Sequence, residues 1–467
     1  MTGFESAIES IRGADGFFSL DRPVYVSRAP GRLDLMGGNV DYTGGLVFQA
    51  TIAEATWAAV QPRGDTRLEF LNPQMSAEGW NPRASFAIDE MTTEGSLREQ
   101  VNRVPGLRWT AYVLGAFYWL RLHFPQNVIL GANLYIRSEI PLNRGVSSSA
   151  AVEVAVMKAA AESYGIHLHG SELAEACQWV ENVIAESACG VMDQAASVMG
   201  DEGYVLPLLC QPCQPQPLVK LPEGLCCWGI DSGVRHAVTG VEYEAARAAT
   251  FIGYRLICEM EDLSIEGDRS GRIRRFVDPR WKGYLSNLGP SEFRERYESI
   301  LPGSISGKEI IANGATHPDP FTTIRAHVNY RVRACTRYAV EENYRIRTFT
   351  ALARSADSDT LTDSFQLMGE LMFQSHWSYT ECGLGCEATD ILVNLVRNEL
   401  GNGLFGAKIT GGGGGGTVAV LGTREKRFSF ERVVEQYAKS CGFTPYVFEG
   451  SSMGADRFGV HILEAER

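Results

Sequence analysis

This sequence of 467 residues lacks the positive charge and the long apolar runs that several classes of protein require. Its 43 lysines and arginines stand against 56 aspartates and glutamates, which gives a net charge of −13. Nucleic acids and anionic membranes bind clustered positive charge, so we expect neither as a partner. No apolar run approaches the roughly 18 residues that span a bilayer. Residues 1–16 also lack the apolar core of a signal peptide, which predicts a protein that is not exported.

Metal-binding and disulfide patterns are also missing from the sequence. The eleven cysteines are odd in number and scattered, which favours reduced thiols in a cytoplasmic protein. Cys210 with Cys213 and Cys382 with Cys386 form close pairs, but neither pair has a second CxxC or a histidine pair at zinc-finger spacing. The first pair lies in CQPCQPQP, a proline-rich stretch that is typical of a connector. A metal site there is the minor alternative.

The order of strand-like and helix-like segments favours an enzyme of two domains, either α+β or α/β. In the first half we expect strands at 23–29 and 57–61, a pair of strands at 128–137, and helices at 149–164 and 173–188. The proline-rich stretch 211–217 predicts a boundary that divides the chain into domains 1–218 and 219–467. In the second domain we expect a strand at 226–232, helices at 242–261, 337–353, 360–375 and 390–400, and strands at 407–410 and 417–421. Residues 267–320 are charged and irregular, and we interpret them as an elaboration of this domain.

The segment PLNRGVSSSAA, residues 141–151, runs directly into a predicted helix. Small residues let the backbone approach a ligand closely, and the free amides and dipole of the helix N-terminus attract a negative group. This pattern indicates a phosphate-binding site. It is not a Walker A loop, which needs GxxxxGK[ST]. The alternative is a plain helix cap, for which serine is a common residue.

The segment TGGGGGGT, residues 410–417, contains six consecutive glycines between two predicted strands. A dinucleotide-binding glycine motif would precede a helix, so that interpretation fails here. A flexible hairpin loop is one alternative. Six glycines carry a large backbone-entropy cost, however, which favours a loop that passes close to a phosphate or to a neighbouring backbone.

The segment RAPGRLDLMGGNVDY, residues 28–42, places Arg32 and Asp41 on either side of a double glycine. An arginine can neutralise the charge that develops on a phosphoryl group, and an aspartate can bind sugar hydroxyls. The alternative is an ordinary surface ion pair.

Together and in this order, the three segments resemble the signature motifs of the GHMP small-molecule kinases. The resemblance runs from about residue 27 to residue 460 and is greatest for the galactokinase branch. The stretches DSGVRHAVTGVEY, GYLSNLGPSEF and LPGSISGKE are similar to the kinase region of the L-arabinokinases. The resemblance implies an α+β fold of two domains, a ribosomal-protein-S5-like N-terminal domain and a ferredoxin-like C-terminal domain. It also implies phosphoryl transfer from ATP with Mg²⁺. The oligomeric state is left open, with a monomer as one option.

The resemblance assigns roles to individual residues. Asp193 matches the catalytic aspartate that orients or deprotonates the acceptor hydroxyl, with Arg32 beside it. Glu181 and Ser149 match the Mg²⁺ ligands; without the motif, Glu181 would be read as part of a solvated helix face. The positions that match the ATP-binding motifs are Trp109, Arg144, Gly145, Val146, Ser147, Ser148, Ser149, Ala150, Gly412 and Gly413. Trp109 has an equally weighted alternative as a core aromatic residue.

The sugar motif departs from the galactokinase pattern at two positions. Asp41 and Tyr243 match sugar contacts, but Gly38 and Asn39 replace the glutamate and histidine of the usual GEHxDY. In galactokinases that glutamate reaches the sugar 6-hydroxyl, so its absence favours L-arabinose, which has no CH₂OH group. We therefore predict a sugar 1-kinase that makes β-L-arabinose 1-phosphate. Galactokinase is the first alternative, with galacturonate and heptose kinases behind it. A non-catalytic sugar sensor is less favoured, because the serine motif is complete.

Overall fold

Two large sheets organise the described structure, one built mainly from the first half of the chain and one from the second half. The computed structural model describes residues 2–14, 16–235, 240–267, 273–314, 316–355 and 361–465. The helices are α1 Thr2–Ala14, α2 Glu94–Arg103, α3 Thr110–His123, α4 Ser148–Ser163, α5 Gly170–Val183, α6 Met192–Met199, α7 Val241–Met260, α8 Pro290–Arg296, α9 Gly307–Ala312, α10 Val332–Ser355, α11 Leu361–Cys382, α12 Glu387–Asn398, α13 Arg427–Cys441 and α14 Ala455–Phe458.

The strands alternate with these helices and confirm an α+β architecture. They are β1 Val24–Met36, β2 Leu46–Pro62, β3 Arg67–Leu71, β4 Arg83–Ala87, β5 Ala132–Ser138, β6 Tyr204–Leu209, β7 Gln214–Pro215, β8 Val219–Lys220, β9 Leu225–Asp231, β10 Ile265–Gly267, β11 Ile273–Phe276, β12 Ile305–Ser306, β13 Asn329–Tyr330, β14 Leu404–Ile409, β15 Thr417–Thr423, β16 Val447–Glu449 and β17 Val460–Leu463. In the described part of the chain, no helix is long and apolar enough to cross a membrane.

The larger sheet has the order β17-β1-β2-β5-β3-β4, and β6 pairs with the N-terminal part of β2. Helix α4 packs against β1 and β2. Its sequence, SSAAVEVAVMKAAAES, is rich in alanine and valine, and most of these side chains are buried. Small side chains let the helix lie close to the sheet, so its N-terminus is held at one end of β1. This position brings the serine motif next to the motif on β1.

The second sheet, β14-β15-β9-β16, is antiparallel. Helices α11, α12 and α13 cover it, and Trp228 stacks on Phe430 in its core with ring centroids 4.6 Å apart. The last strand, β17, leaves this half and pairs with β1 in the larger sheet. The domain division between residues 218 and 219 therefore remains a prediction. The last strand of the second half, β17, belongs to the sheet of the first half.

Several predicted elements differ from the structure in their ends. Residues 128–137 were expected to form two strands, but the described structure has the single strand β5. The helix expected to reach residue 188 ends at Val183, and Glu186 adopts a left-handed φ of 54° that continues no helix. The elaboration at 267–320 is also more regular than predicted. It contains β11, α8, β12 and α9 and the 3₁₀ turn Leu285–Asn287. Its residues 268–272 and 315 lie outside the described residues.

Candidate active site

A cavity opens where the three glycine-rich segments meet. It lies between the start of α4, the turn after β1, the glycine loop 411–416 and the first residues of α6 and α7. The predicted site residues that line it are Arg32, Asn39, Asp41, Trp109, Arg144, Gly145, Ser147, Ser148, Ser149, Glu181, Asp193, Tyr243 and Gly412. Residues from distant parts of the sequence thus line the same cavity.

Asp193, in the first turn of α6, is held by two partners. Arg32 Nε and Nη2 both contact Asp193 Oδ1, at 2.8 and 2.7 Å. The Ser147 hydroxyl donates to Asp193 Oδ2. The Arg32 side chain is almost fully buried, whereas the Asp193 side chain is 23% exposed. Because each carboxylate oxygen can accept more than one hydrogen bond, Asp193 is fixed in orientation and still open to a ligand.

The start of α4 is shaped for an anion. Ser147 has a left-handed backbone, with φ of 60°, and its hydroxyl points to Asp193 instead of capping the helix. The carbonyls before it face away from the helix axis: Arg32 donates from its backbone amide to Val146 O and from Nη1 to Gly145 O. The first helical amides, at Ser148 and Ser149, are therefore left for another acceptor. Val146 and Ala150 are buried beneath this turn.

The glycine loop packs against backbone rather than hanging free. Gly411 has φ of 75°, and a Cβ there would lie 2.6 Å from Gly145 O. Gly413 has φ of 87°, and its Cβ would lie 2.7 Å from Leu384 O. Both positions thus exclude side chains by conformation and by contact. Gly412 lines the cavity, whereas Gly413 faces Leu384 behind it.

Two buried carboxylates, Glu181 and Glu153, lie next to Asp193. Gln194 Nε2 donates to Glu181 Oε2 at 2.6 Å and to Glu153 Oε2 at 3.1 Å. Burial, reinforced by the charge of Asp193, raises the pKa of Glu181 to about 7. Burial and the charge of Glu181 raise the pKa of Glu153 well above its usual range. Buried carboxylates without a basic partner are unfavourable unless a cation or a proton joins them.

The remaining wall carries Asn39, Asp41 and Tyr243. Asp41 Oδ1 accepts from Tyr42 N at 2.9 Å and Oδ2 accepts from Met192 N at 3.4 Å. Burial, with the charge of Asp193, raises the pKa of Asp41 to about 6. Asn39 is 3% exposed, and within the described structure its Nδ2 has no hydrogen-bond partner. The wall therefore presents an acceptor and an unsatisfied donor side by side.

Gly38, which replaces the glutamate of the galactokinase motif, is packed against other side chains. A Cβ at Gly38 would lie 2.0 Å from the hydroxyl oxygen of Tyr379 and 2.6 Å from Asp34 Oδ2. Tyr379 is fully buried and donates to Gly411 O at 2.8 Å. Tyr379, which is 341 positions away in the sequence, therefore fills the space beside this glycine.

The other end of the cavity is lined by aromatic residues. Trp109 donates from Nε1 to Asn81 O at 2.9 Å, which fixes its ring against the cavity. Trp80 lies at the mouth and is 37% exposed. Asn72 is 4% exposed, and no partner for its Oδ1 occurs among the described residues. Sequence reasoning missed Asn72, Trp80 and Glu153, because none belongs to a motif. The buried, unpaired Asn72 oxygen is visible only in three dimensions.

Three protein families match segments of the chain. Residues 111–201 match the GHMP kinases N-terminal domain, residues 352–440 match the GHMP kinases C-terminal domain, and residues 17–62 match the galactokinase galactose-binding signature. The three matches contain the serine motif, the helices before the glycine loop and the motif on β1.

Individual proteins are similar over most of the chain. An L-arabinokinase from Arabidopsis thaliana is 36% identical over 97% of this chain, which spans about half (48%) of that relative's length. A galactokinase from Chloroflexus aggregans is 30% identical, with 90% of each protein covered. The crystal structure of Lactococcus lactis galactokinase complexed with galactose shares the fold, with a TM-score of 0.73 over 97% of this chain and 99% of that one at 21% identity.

Proposed function

Since this chain belongs to the galactokinase-like sugar kinases of the GHMP family, we propose that it transfers a phosphoryl group from ATP to the anomeric hydroxyl of L-arabinose. The product is β-L-arabinose 1-phosphate. The observation that carries the proposal is the position of Asp193, held by Arg32 and Ser147 at the junction of the anion-binding turn and the polar wall.

In this proposal Asp193 orients the sugar hydroxyl and accepts its proton, and Arg32 holds the carboxylate in place. Phosphoryl transfer depends on positioning and charge neutralisation more than on covalent chemistry. The buried guanidinium and the N-terminus of α4 both supply positive potential on the side where the phosphate would lie. On the side opposite the phosphate, the Asp193 carboxylate accepts the proton of the sugar hydroxyl.

The nucleotide is proposed to occupy the cavity from the serine motif to the aromatic end. Its phosphates would lie against the amides of Ser148 and Ser149 and against Gly412. The base would lie beside Trp109, whose indole N–H is already used. The unpaired Asn72 oxygen would then accept from the exocyclic amine of adenine. Leaving a buried acceptor unpaired costs about 1–3 kcal/mol, and a bound adenine would remove that cost.

Mg²⁺ fits this proposal, and Glu181 and Ser149 would hold it. Glu181 and Glu153 are buried, and their partner Gln194 is neutral, so the pair is short of positive charge. No group of three or more potential metal ligands is found in the described part of the chain. Mg²⁺ ordinarily uses one or two carboxylates together with waters and phosphate oxygens. When bound, it neutralises charge on the phosphate oxygens.

L-Arabinopyranose has the ring stereochemistry of galactopyranose, with hydrogen in place of the CH₂OH group. Asp41 and Asn39 can serve its ring hydroxyls as acceptor and donor. The glutamate expected for a 6-hydroxyl is absent at Gly38, and Tyr379 fills the adjoining space with a hydroxyl that is already bonded. Galacturonate would require a cation opposite its carboxylate, and Gly38 and Asn39 provide none. L-Arabinose therefore leaves the fewest groups unpaired.

Galactokinase is the second candidate, since residues 17–62 match the galactose-binding signature. One experiment separates the two. Initial rates are measured with L-arabinose, D-galactose and D-galacturonate in the same enzyme preparation, and the product is identified by ³¹P NMR as an anomeric phosphate. We expect kcat/KM for L-arabinose to exceed that for galactose by about 10- to 100-fold, the value of one lost polar contact. Equal or better use of galactose would make the protein a galactokinase, and no turnover of any sugar would favour a sensor.

A further inference from the structure

A buried ion pair lies directly behind the sugar-facing wall. Arg247, one helical turn after Tyr243 on α7, contacts Asp319 through Nε and Nη2, both at 2.9 Å. The two side chains are only 4% and 1% exposed. Asp319 also accepts from the Thr322 hydroxyl at 2.6 Å. Asp319 belongs to the elaboration at 267–320, a segment to which the sequence motifs assign no role.

The Arg247 guanidinium lies over Tyr42, the residue that follows Asp41 in the sugar-binding turn. It stacks over the Tyr42 ring at 4.8 Å, and Tyr42 meets Tyr243 edge to face at 6.2 Å. Burial raises the pKa of both Asp41 and Tyr243, and the charge of Arg247 opposes this rise in each. One buried cation thus lies behind Asp41 and Tyr243, the two residues that match sugar contacts, without lining the cavity.

The same elaboration supports the other side of the sugar turn. The 3₁₀ turn Asp41–Thr43 contacts the elaboration through Thr43 Oγ1 and Ser286 Oγ, which are 2.7 Å apart. Tyr284 packs on Gly44, where a Cβ would lie 2.2 Å from the tyrosine ring. These contacts are independent of Arg247, so the turn is held at two separate points.

We propose that the elaboration is a support for the sugar-binding turn, with Arg247, Asp319 and Ser286 as positioning residues for Asp41 and Tyr243. The proposal rests on the proposed sugar site. The 3₁₀ turn spans only three residues, and its orientation is set largely by what packs around it. An error of about 1 Å in a positioned group can cost up to 10²-fold, so loss of this support should weaken sugar use selectively.

The test measures KM for sugar and KM for ATP in two variants and one control. Asp319→Asn removes the charge that pairs with Arg247 but keeps a hydrogen-bond acceptor. Ser286→Ala removes only the contact to Thr43, because the contact of Asn343 is to the Ser286 carbonyl. Glu292→Gln is the control, since Glu292 is an ion-pair residue of the same elaboration that bonds Arg280 and Arg296 away from the cavity.

We expect Asp319→Asn to raise KM for the sugar on the order of 10- to 100-fold, with KM for ATP within about twofold of the parent. Ser286→Ala should raise the sugar KM by a smaller factor in the same direction, and Glu292→Gln should change neither. Equal changes in both KM values, or none in folded protein, would overturn the proposal. If Asp319→Asn does not fold, Ser286→Ala decides alone. The sugar used in the test is whichever one the parent enzyme phosphorylates. If L-arabinose is not the substrate, the parent enzyme shows this before any variant is measured, so that result is distinct from a failure of the support proposal.

Discussion

Strand β1 carries two ion pairs, two residues apart, that differ in exposure. Arg32 contacts Asp193 at 2.7 Å, and Asp34 contacts Lys408 Nζ at 2.8 Å. Asp34 and Lys408 are completely buried, whereas the Asp193 side chain is 23% exposed and faces the cavity. The chemistry of the two pairs is alike, so the difference in their surroundings determines what each can do.

The buried pair is saturated by protein groups. Asp34 Oδ1 accepts from Gln49 Nε2 at 2.8 Å, and Lys408 also donates to Ile409 O at 2.7 Å. Asp34 N donates to Thr410 Oγ1, the residue before the glycine loop. The pair therefore fixes β1 against β14 and places the sugar motif beside the glycine loop. The cavity-facing pair keeps unused acceptor capacity on Asp193, which is available for a ligand.

The first prediction concerns the buried pair. Lys408→Met removes one partner and leaves Asp34 as an uncompensated buried charge, which should lower the free energy of unfolding by about 3–5 kcal/mol. Urea unfolding of the purified proteins measures it. The matched control is Arg432→Met, because Arg432 pairs with Glu399 in an ion pair whose arginine is 43% exposed. That change should lower the free energy of unfolding far less, because the exposed guanidinium is solvated in both the folded and the unfolded protein. If the two variants lost similar free energies of unfolding, the predicted difference between the buried and the exposed ion pair would be wrong.

The second prediction concerns the cavity-facing pair. Asp193→Asn keeps the size of the side chain and an acceptor for Arg32, but it cannot take the proton of the sugar hydroxyl. Turnover should fall by about 10² or more, while the unfolding midpoint and ATP affinity stay close to those of the parent. Steady-state kinetics compares turnover in the variant and the parent, and calorimetry compares their ATP affinities. Near-normal turnover in the folded variant would remove Asp193 from the mechanism.

The contrast also shows what the sequence could predict. The family resemblance placed Arg32 beside Asp193, and the two side chains are in contact, whereas the hydrogen bond from Ser147 to Asp193 was not anticipated. The six consecutive glycines favoured a loop close to a phosphate or to a neighbouring backbone, and Gly411 does lie against Gly145. Both predictions rest on a recognisable motif, although the contacts join segments that are far apart in the sequence.

The sequence failed where the constraint came from a residue outside the recognised motifs. Lys408, Tyr379 and Asp319 each act on the first motif from more than 270 positions away. Their effects depend on side-chain packing between elements, which periodicity and composition do not describe. This explains why the packing of Tyr379 on Gly38 was not anticipated and why residues 267–320 were given no role. Element boundaries shifted for the same reason, since helix ends follow tertiary contacts as well as propensity.

The last prediction uses the second carboxylate of the motif on β1, Asp41, which is buried and bonded to two backbone amides. Burial raises its pKa to about 6, so the ionised acceptor that the sugar requires is present above pH 6 and lost below it. We expect kcat/KM for the sugar to fall about tenfold per pH unit below about 6, because this ratio reports the free enzyme. The same shift means that Asp41 contributes stability as the pH falls through 6 toward its unfolded value. Unchanged thermal melting at pH 5.5 would therefore separate protonation from unfolding. A profile flat to pH 5 would show that Asp41 is not the sugar acceptor.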